Sequence, residues 1–130
     1  MKTIDEQFAL KGKVAVVVGG AGYLCATLSR AFLENGMKVA ILDVAKEPPA
    51  DLSGKVFYVS TDATSKEALL KARGAVLKEY RRVDVLLNGA TCNAPTPFFK
   101  ITEEEIDCIL AANVKAVFFA AQVFGETMVE

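Results

Sequence analysis

The stretch from residue 14 to residue 43, VAVVVGGAGYLCATLSRAFLENGMKVAILD, constrains the fold of this chain more than any other. It begins with an apolar run, Val14–Val18, that predicts a strand buried on both faces of a parallel sheet. A glycine cluster follows, and glycine permits a tight turn and the close approach of the backbone to a bound group. A helical pattern then stops at Asn35-Gly36, and a second apolar strand, Lys38–Leu42, ends on Asp43. This order predicts a βαβ unit whose helix N-terminus offers free N–H groups to a pyrophosphate.

Composition narrows the class of protein. The 130 residues are 52% hydrophobic and 24% charged, which predicts one globular domain over residues 1–130 with a largely buried sheet. A net charge of −1 argues against nucleic acid or an anionic membrane surface as the main partner. The sequence shows no unbroken apolar run of about 18 residues, and its start, MKTIDEQ, lacks a signal-peptide pattern. We therefore expect a cytoplasmic protein without a membrane partner.

The number and spacing of the cysteines, and the absence of histidine, argue against a disulfide framework and a metal site. Cys25, Cys92 and Cys108 are odd in number and show no C-x-x-C spacing, and the chain contains no histidine. We therefore expect neither a disulfide framework nor a metal site, and catalysis by histidine is excluded within this chain.

Two further strands are predicted, at Val56–Ser60 after a surface connection and at Val83–Leu87 after a helix that runs to about Tyr80. Strands that alternate with helices indicate an α/β fold with a parallel, doubly wound sheet of Rossmann type. The doubly wound scheme would place the four strands in the order 3-2-1-4. The fourth strand is apolar on both faces and nothing follows to cover its far edge. We expect the chain to be the front half of a larger domain, or a domain completed by another chain.

The helix boundaries are predicted from capping signals. Thr64 with Glu67, and Thr102 with Glu105, fit the capping box. The second box opens a helix that we expect to bend near Asn113. Its acidic first turn is interpreted as a complement to the helix dipole rather than as a metal site.

The N-terminal lead-in, residues 1–12, is predicted to carry no chemistry. We expect Phe8 and Leu10 to pack against the sheet.

Asp43 predicts the choice of dinucleotide. It lies 21 residues beyond Gly22, close to the interval of about 20 residues in the dinucleotide fingerprint. A carboxylate there would accept hydrogen bonds from the adenosine ribose diol and repel a 2′-phosphate. The sequence therefore favours NAD over NADP as cofactor.

These landmarks, in this order, resemble the short-chain dehydrogenase/reductase family over essentially the whole chain. Three sequence segments further resemble its mannonate oxidoreductase (fructuronate reductase) branch: GGAGYLC, LLNGATCNAP and QVFGETMVE. The resemblance implies a Rossmann fold, hydride transfer to or from a hydroxyl or carbonyl of a small-molecule substrate such as a sugar acid, and a homo-oligomer assembled through the last helix. The cofactor-binding residues that it implies are Gly19, Gly20, Gly22, Tyr23, Leu24, Asp43, Asp62, Ala63, Asn88, Gly89 and Ala90. It implies a catalytic relay role for Asn113, which would hold a water for a lysine.

Several residues depart from the family pattern. Val18 stands where the family usually has threonine, and Cys25 replaces the third glycine, which predicts tighter packing between helix and strand. Gly89 and Thr91 loosen the motif after the fourth strand. Tyr23 fits the spacing Gly19-x-x-Gly22-x-x-Cys25, which also resembles the extended branch of sugar-nucleotide epimerases and leaves that branch as an alternative.

The catalytic pair of the family is not found in this sequence. The family uses a tyrosine with a lysine four residues later, and none of Tyr23, Tyr58 and Tyr80 has lysine at that position. The lysine lowers the tyrosine pKa for general acid–base catalysis, so we expect this chain alone to bind cofactor without turnover. The alternative interpretation is a non-catalytic dinucleotide-binding or redox-sensing module.

Overall fold

The computed structural model describes residues 3–129 of the chain. Its helices are α1 (Ile4–Phe8), α2 (Tyr23–Glu34), α3 (Lys66–Tyr80), α4 (Glu103–Leu110) and α5 (Ala116–Val129). A 3₁₀ turn, Phe98–Lys100, precedes α4, and a π-helical segment, Ala111–Lys115, joins α4 to α5. The strands are β1 (Val14–Val18), β2 (Lys38–Asp43), β3 (Phe57–Ser60) and β4 (Val85–Asn88).

The four strands form one parallel sheet in the order β3-β2-β1-β4, which confirms the predicted fold class and strand order. Val18 at the end of β1 pairs with Leu42 of β2 on one side and with Asn88 of β4 on the other. The carboxyl ends of these three strands are therefore level. The residues that follow them meet at one edge of the sheet.

Helices cover both faces of the sheet, because successive side chains of a strand point to opposite sides. Val16 and Leu42 face α3 and α5, where Phe124 is fully buried. Val17 and Ile41 face α2 on the other side. Within residues 3–129, β4 pairs with β1 alone, so its far edge carries no further strand among these residues.

The start of α3 differs from the prediction by one residue. The N-cap is Ser65, whose hydroxyl accepts a hydrogen bond from the N–H of Ala68, so the capping box predicted for Thr64 and Glu67 is wrong. Thr64 instead donates from its N–H and its hydroxyl to Oδ1 of Asp62, at 2.9 and 2.7 Å. The aspartate side chain holds Thr64 in a turn and delays the helix by one residue.

The predicted capping box of Thr102 and Glu105 is confirmed, and so is the distortion near Asn113, which lies in the π-helical segment. Two strands begin later than predicted: β3 begins at Phe57, one residue later, and β4 begins at Val85, two residues later.

The N-terminal lead-in forms a short helix with its own capping box, Thr3 with Glu6. Phe8 ends this helix with its side chain 76% exposed, so the prediction that it packs against the sheet is wrong. Leu10 is half-buried. A five-residue helix with its own cap turns Phe8 away from the sheet.

The continuous helical run Glu103–Val129 is, by length and composition alone, apolar enough to cross a membrane. Polar residues interrupt this run, so no unbroken apolar stretch marks it in the sequence. Ala120 and Phe124 of this run are fully buried in the core against α3 and the sheet, whereas Leu110, Val114 and Phe118 are exposed.

Asp84 ties the start of β1 to the approach to β4. Its Oδ2 accepts a hydrogen bond from the N–H of Val14 at 2.8 Å, and the carboxylate also pairs with Arg82. Burial by itself would raise the pKa of Asp84, but the hydrogen bonds from Arg82 and Val14 lower that pKa overall. Because the folded state holds this carboxylate at a lowered pKa, its contribution to stability is present near neutral pH. That contribution is lost as the pH falls through the pKa of the folded state.

We predict that Asp84→Ala lowers the free energy of unfolding by about 2 kcal/mol near neutral pH, because the N–H of Val14 loses a charged acceptor. Asp84→Asn retains an acceptor for Val14 and should lose about half as much. Urea unfolding followed by circular dichroism at neutral and acid pH measures both effects. The gap between wild type and either variant should shrink in acid, and a gap that is constant with pH would contradict this account.

Candidate functional site

A cleft of about 560 Å³ opens at the carboxyl edge of the sheet. It lies where the chain order of the strands reverses between β1 and β4, which is the usual ligand position in doubly wound sheets. Its lining residues are Val18, Gly19, Ala21, Gly22, Leu42, Asp43, Val44, Ala45, Thr61, Asp62, Ala63, Thr64, Gly89, Ala90, Thr91, Cys92, Cys108, Ala112 and Ala116.

The glycine turn after β1 is held between β2 and β4. Gly19 has φ of +75°, and its N–H donates to the carbonyl of Leu42 at 2.7 Å. A Cβ at Gly19 would lie 2.6 Å from the backbone N of Ala90. Gly20 lies beneath the turn, where a Cβ would meet the side chain of Ile41 at 2.6 Å. Gly19 therefore lines the cleft, and Gly20 allows the turn to lie close to the sheet.

The N-terminus of α2 opens at the cleft. Gly22 is its N-cap, and in the described part of the chain no side chain accepts a hydrogen bond from its first turn. Tyr23 and Leu24, in that first turn, have side chains that are 92% and 68% exposed and do not line the cleft. The backbone N–H groups of this turn, rather than these side chains, are available to an anion.

Asp43 connects the end of β2 to the glycine turn. Its Oδ2 accepts from the N–H of Ala21 and its Oδ1 from the N–H of Ala45, both at 3.0 Å. Each carboxylate oxygen has lone pairs to accept a second hydrogen bond. The carboxylate is thus fixed in the wall of the cleft with acceptor capacity remaining.

The segment after β3 forms another part of the wall. Asp62 and Ala63 both line the cleft. The Asp62 side chain is exposed and accepts two hydrogen bonds from Thr64, whereas Ala63 is buried and also belongs to the core.

The segment after β4 contacts the glycine turn directly. The N–H of Gly89 donates to the carbonyl of Val18 at 2.9 Å, so a backbone hydrogen bond joins the two segments where the family usually has a threonine hydroxyl. Gly89 and Ala90 line the cleft, whereas Asn88 is exposed and does not.

Two of the departures from the family pattern compensate each other. A Cβ at Gly89 would lie 2.0 Å from Sγ of Cys25, so the thiol occupies the space that a side chain at position 89 would need. This is the tighter packing predicted for Cys25. Burial, and secondarily the charge of Asp43, raises the pKa of the Cys25 thiol, which therefore stays protonated.

Asn113 does not line the cleft but holds one of its walls. Its Oδ1 accepts from the N–H of Cys92 at 2.8 Å, and its Nδ2 donates to the carbonyl of Cys92 at 3.0 Å. The side-chain amide thus pairs with the backbone of the segment after β4 in both directions. The π-helical segment places it there.

One wall of the cleft was not predicted from the sequence. Cys108, Ala112 and Ala116 line it from the last helices. Their spacing of four residues, all small, is a signal that could have indicated a helix face close to a ligand. Among residues 3–129, no group of three or more His, Cys, Asp or Glu could hold a metal ion.

Comparison with known proteins decides the family. A model of the short chain dehydrogenase family matches residues 13–130. This chain belongs to the short chain dehydrogenase family. The chain is 32% identical, over 93% of its length, to the uncharacterized oxidoreductase UxuB of Bacillus subtilis (strain 168), of which the match covers 51%. It is 30% identical, over 98% of its length, to the NAD-dependent glycerol dehydrogenase of Listeria innocua serovar 6a, of which it covers 52%.

A solved structure shares the fold. A candidate D-mannonate oxidoreductase from Haemophilus influenza, solved with bound NAD, superposes with a TM-score of 0.83 at 21% identity. The superposition covers 97% of this chain and 54% of that one. The chain spans about half the length of the curated relatives it matches.

Proposed function

We propose that residues 1–130 form the NAD-binding part of an oxidoreductase of the short-chain dehydrogenase/reductase type. The observation that carries the proposal is the convergence of three features on one cleft: the Gly19 turn, the uncapped N-terminus of α2 and the carboxylate of Asp43. Because Asp43 bonds to Ala21 within the turn, the proposed phosphate and ribose positions are fixed relative to each other.

The residues fit a dinucleotide as follows. The N–H groups of the first turn of α2 would hold the pyrophosphate, and Asp43 would accept hydrogen bonds from the adenosine ribose. Asp62 and Ala63 would border the adenine, and Gly89 and Ala90 would border the opposite end of the dinucleotide. A Cβ at Gly19 would collide with Ala90, so only glycine leaves this cradle open. When bound, NAD supplies hydride transfer; the residues described here bind and orient it.

The reaction of the whole protein is proposed by likeness to its relatives. We propose a small hydroxyl or carbonyl substrate of the polyol or sugar-acid type. Support comes from the relative named as a glycerol dehydrogenase and the neighbour named as a candidate D-mannonate oxidoreductase. Because no tyrosine of this chain has lysine four residues later, the chain by itself is proposed to bind NAD without oxidising substrate.

We also propose a homo-oligomer in the cytoplasm. Leu110, Val114 and Phe118 of the last helices expose between 48% and 66% of their surfaces. Apolar side chains exposed together on a helix are typical of a protein–protein contact.

The proposed cofactor is tested by changing Asp43. We expect wild type to bind NADH more tightly than NADPH, because the carboxylate repels a 2′-phosphate. Asp43→Ala should weaken NADH binding about 10-fold or more, the equivalent of losing one or two hydrogen bonds to a charged group. The same change should reduce the preference for NADH over NADPH. Fluorescence titration with both nucleotides measures the two dissociation constants.

Two further variants separate the causes. Asp43→Asn removes the charge but keeps an acceptor, so it should reduce the discrimination against NADPH more than the affinity for NADH. Asp51→Ala removes an exposed carboxylate that pairs with Arg30 outside the cleft, and it should change neither constant. Equal binding of NADH and NADPH by wild type would exclude the assignment of Asp43.

A further inference from the structure

Two cysteines that are far apart in the sequence meet at the cleft. Sγ of Cys92, after β4, lies 3.1 Å from Sγ of Cys108, in α4. Both residues line the cleft, and both thiols are free. A disulfide bond is about 2.0 Å long, so the two sulfurs need to approach by only about 1 Å to be joined.

Hydrogen bonds hold the segment that carries Cys92 against the last helices, both before and after Cys108 in the chain. The side chain of Asn113 makes two hydrogen bonds with the backbone of Cys92. Four residues after Cys92, the hydroxyl of Thr96 donates to the carboxylate of Glu105 in the first turn of α4. These contacts place the two sulfurs together as part of the fold.

The three cysteines differ in their access to solvent. Cys108 is exposed, Cys92 is half-buried and Cys25 is buried. The hydrogen bond with Cys108, together with burial, raises the pKa of Cys92. Because Cys108 is the exposed thiol, a small oxidant reaches it first, and Cys92 lies beside it.

We propose that Cys92 and Cys108 form a reversible intramolecular disulfide in the wall of the cleft by exchange with a low-molecular-weight disulfide. The thiolate of Cys108 attacks one sulfur of that disulfide, forms a mixed disulfide and releases one small thiol. The thiolate of Cys92 then attacks Sγ of Cys108, forms the protein disulfide and releases the second small thiol. Two protein thiols are oxidised, one small disulfide is reduced, and the two S–H protons leave on the released thiols.

The bond would link the segment after β4 covalently to α4 on the wall opposite Asp43. A dinucleotide in the cleft would cover both sulfurs and slow the exchange. This sensitivity to nucleotide rests on the proposed function, whereas the formation of the bond does not.

The test is to incubate the folded, reduced chain with oxidised glutathione, alkylate the remaining thiols in denaturant, and measure intact and peptide masses. We expect a chain lighter by two hydrogen atoms, a peptide that joins Cys92 to Cys108, an alkylated Cys25, and full reversal by dithiothreitol. In Cys92→Ser and Cys108→Ser the lighter product should be absent, and a stable glutathione adduct should remain on the other thiol of the pair. Adducts without the internal link in wild type, or chains linked to one another, would overturn the proposal.

Addition of NADH separates the two proposals. NADH should slow the formation of the bond several-fold in wild type. If the bond forms at an unchanged rate in saturating NADH, the disulfide stands and the placement of the dinucleotide in this cleft fails.

Discussion

Gly19→Ala should lower the free energy of unfolding by about 3 kcal/mol and weaken NADH binding at least 10-fold. Two effects add at this position. A φ of +75° costs an L-residue about 1–2 kcal/mol. A new Cβ would also lie 2.6 Å from the backbone N of Ala90, and overpacking of this kind costs about 1–3 kcal/mol. Because the colliding atoms belong to the backbone, no change of side-chain rotamer relieves the contact.

The chain offers a matched control at Gly54. It has the same φ of +75°, but a Cβ there would meet nothing within 4 Å. Gly54→Ala should therefore cost only the conformational part, about 1 kcal/mol, and leave NADH binding unchanged. Urea unfolding and fluorescence titration measure the two variants in parallel. Equal losses in both variants would show that the contact with Ala90 is not important.

Gly89→Ala should lower the free energy of unfolding by about 2 kcal/mol, because its Cβ would lie 2.0 Å from Sγ of buried Cys25. The Cβ of Cys25 would be 3.6 Å away, which is an ordinary contact. In a Cys25→Ala background the contact of the new Cβ with the backbone O of Val18, at 3.3 Å, remains, so the same change should cost about 1 kcal/mol. The double-mutant cycle should give a coupling of about 1–2 kcal/mol.

The control for this cycle is Gly74→Ala in α3, where a Cβ would meet nothing within 4 Å. Alanine favours a helix over glycine, so this change should stabilise the chain by up to about 1 kcal/mol. Urea unfolding of all variants gives the free energies. Additive effects at positions 25 and 89 would contradict the compensation between them.

Most of the fold could be predicted because its signals are local. The apolar run of β1, the glycine turn and the stop at Asn35-Gly36 lie within one stretch of sequence, and each matches the structure. The errors occurred where a neighbouring side chain decided the outcome. Asp62 holds Thr64 and moves the start of α3 to Ser65.

Some of the binding residues predicted from the sequence coincide with the lining of the cleft. Gly19, Gly22, Asp43, Asp62, Ala63, Gly89 and Ala90 line the cleft as one surface, whereas Gly20, Tyr23, Leu24, Asn88 and Asn113 lie outside its lining. Spacing along the chain identifies a glycine turn but does not say which of its atoms face the cleft. That depends on how the turn packs against β2 and β4.

The sequence by itself determined the βαβ unit, the parallel sheet and the position of Asp43 at the end of β2. The reason is that strands and helices are recognised from the spacing of apolar residues within a short stretch of sequence. Only the tertiary structure decided that Cys25 fills the space beside Gly89 and that Cys92 meets Cys108. Each of these pairs joins residues on different elements. The distance between the two residues of each pair is set by the packing of β1, β4 and the last helices, and this packing cannot be deduced from a local sequence pattern.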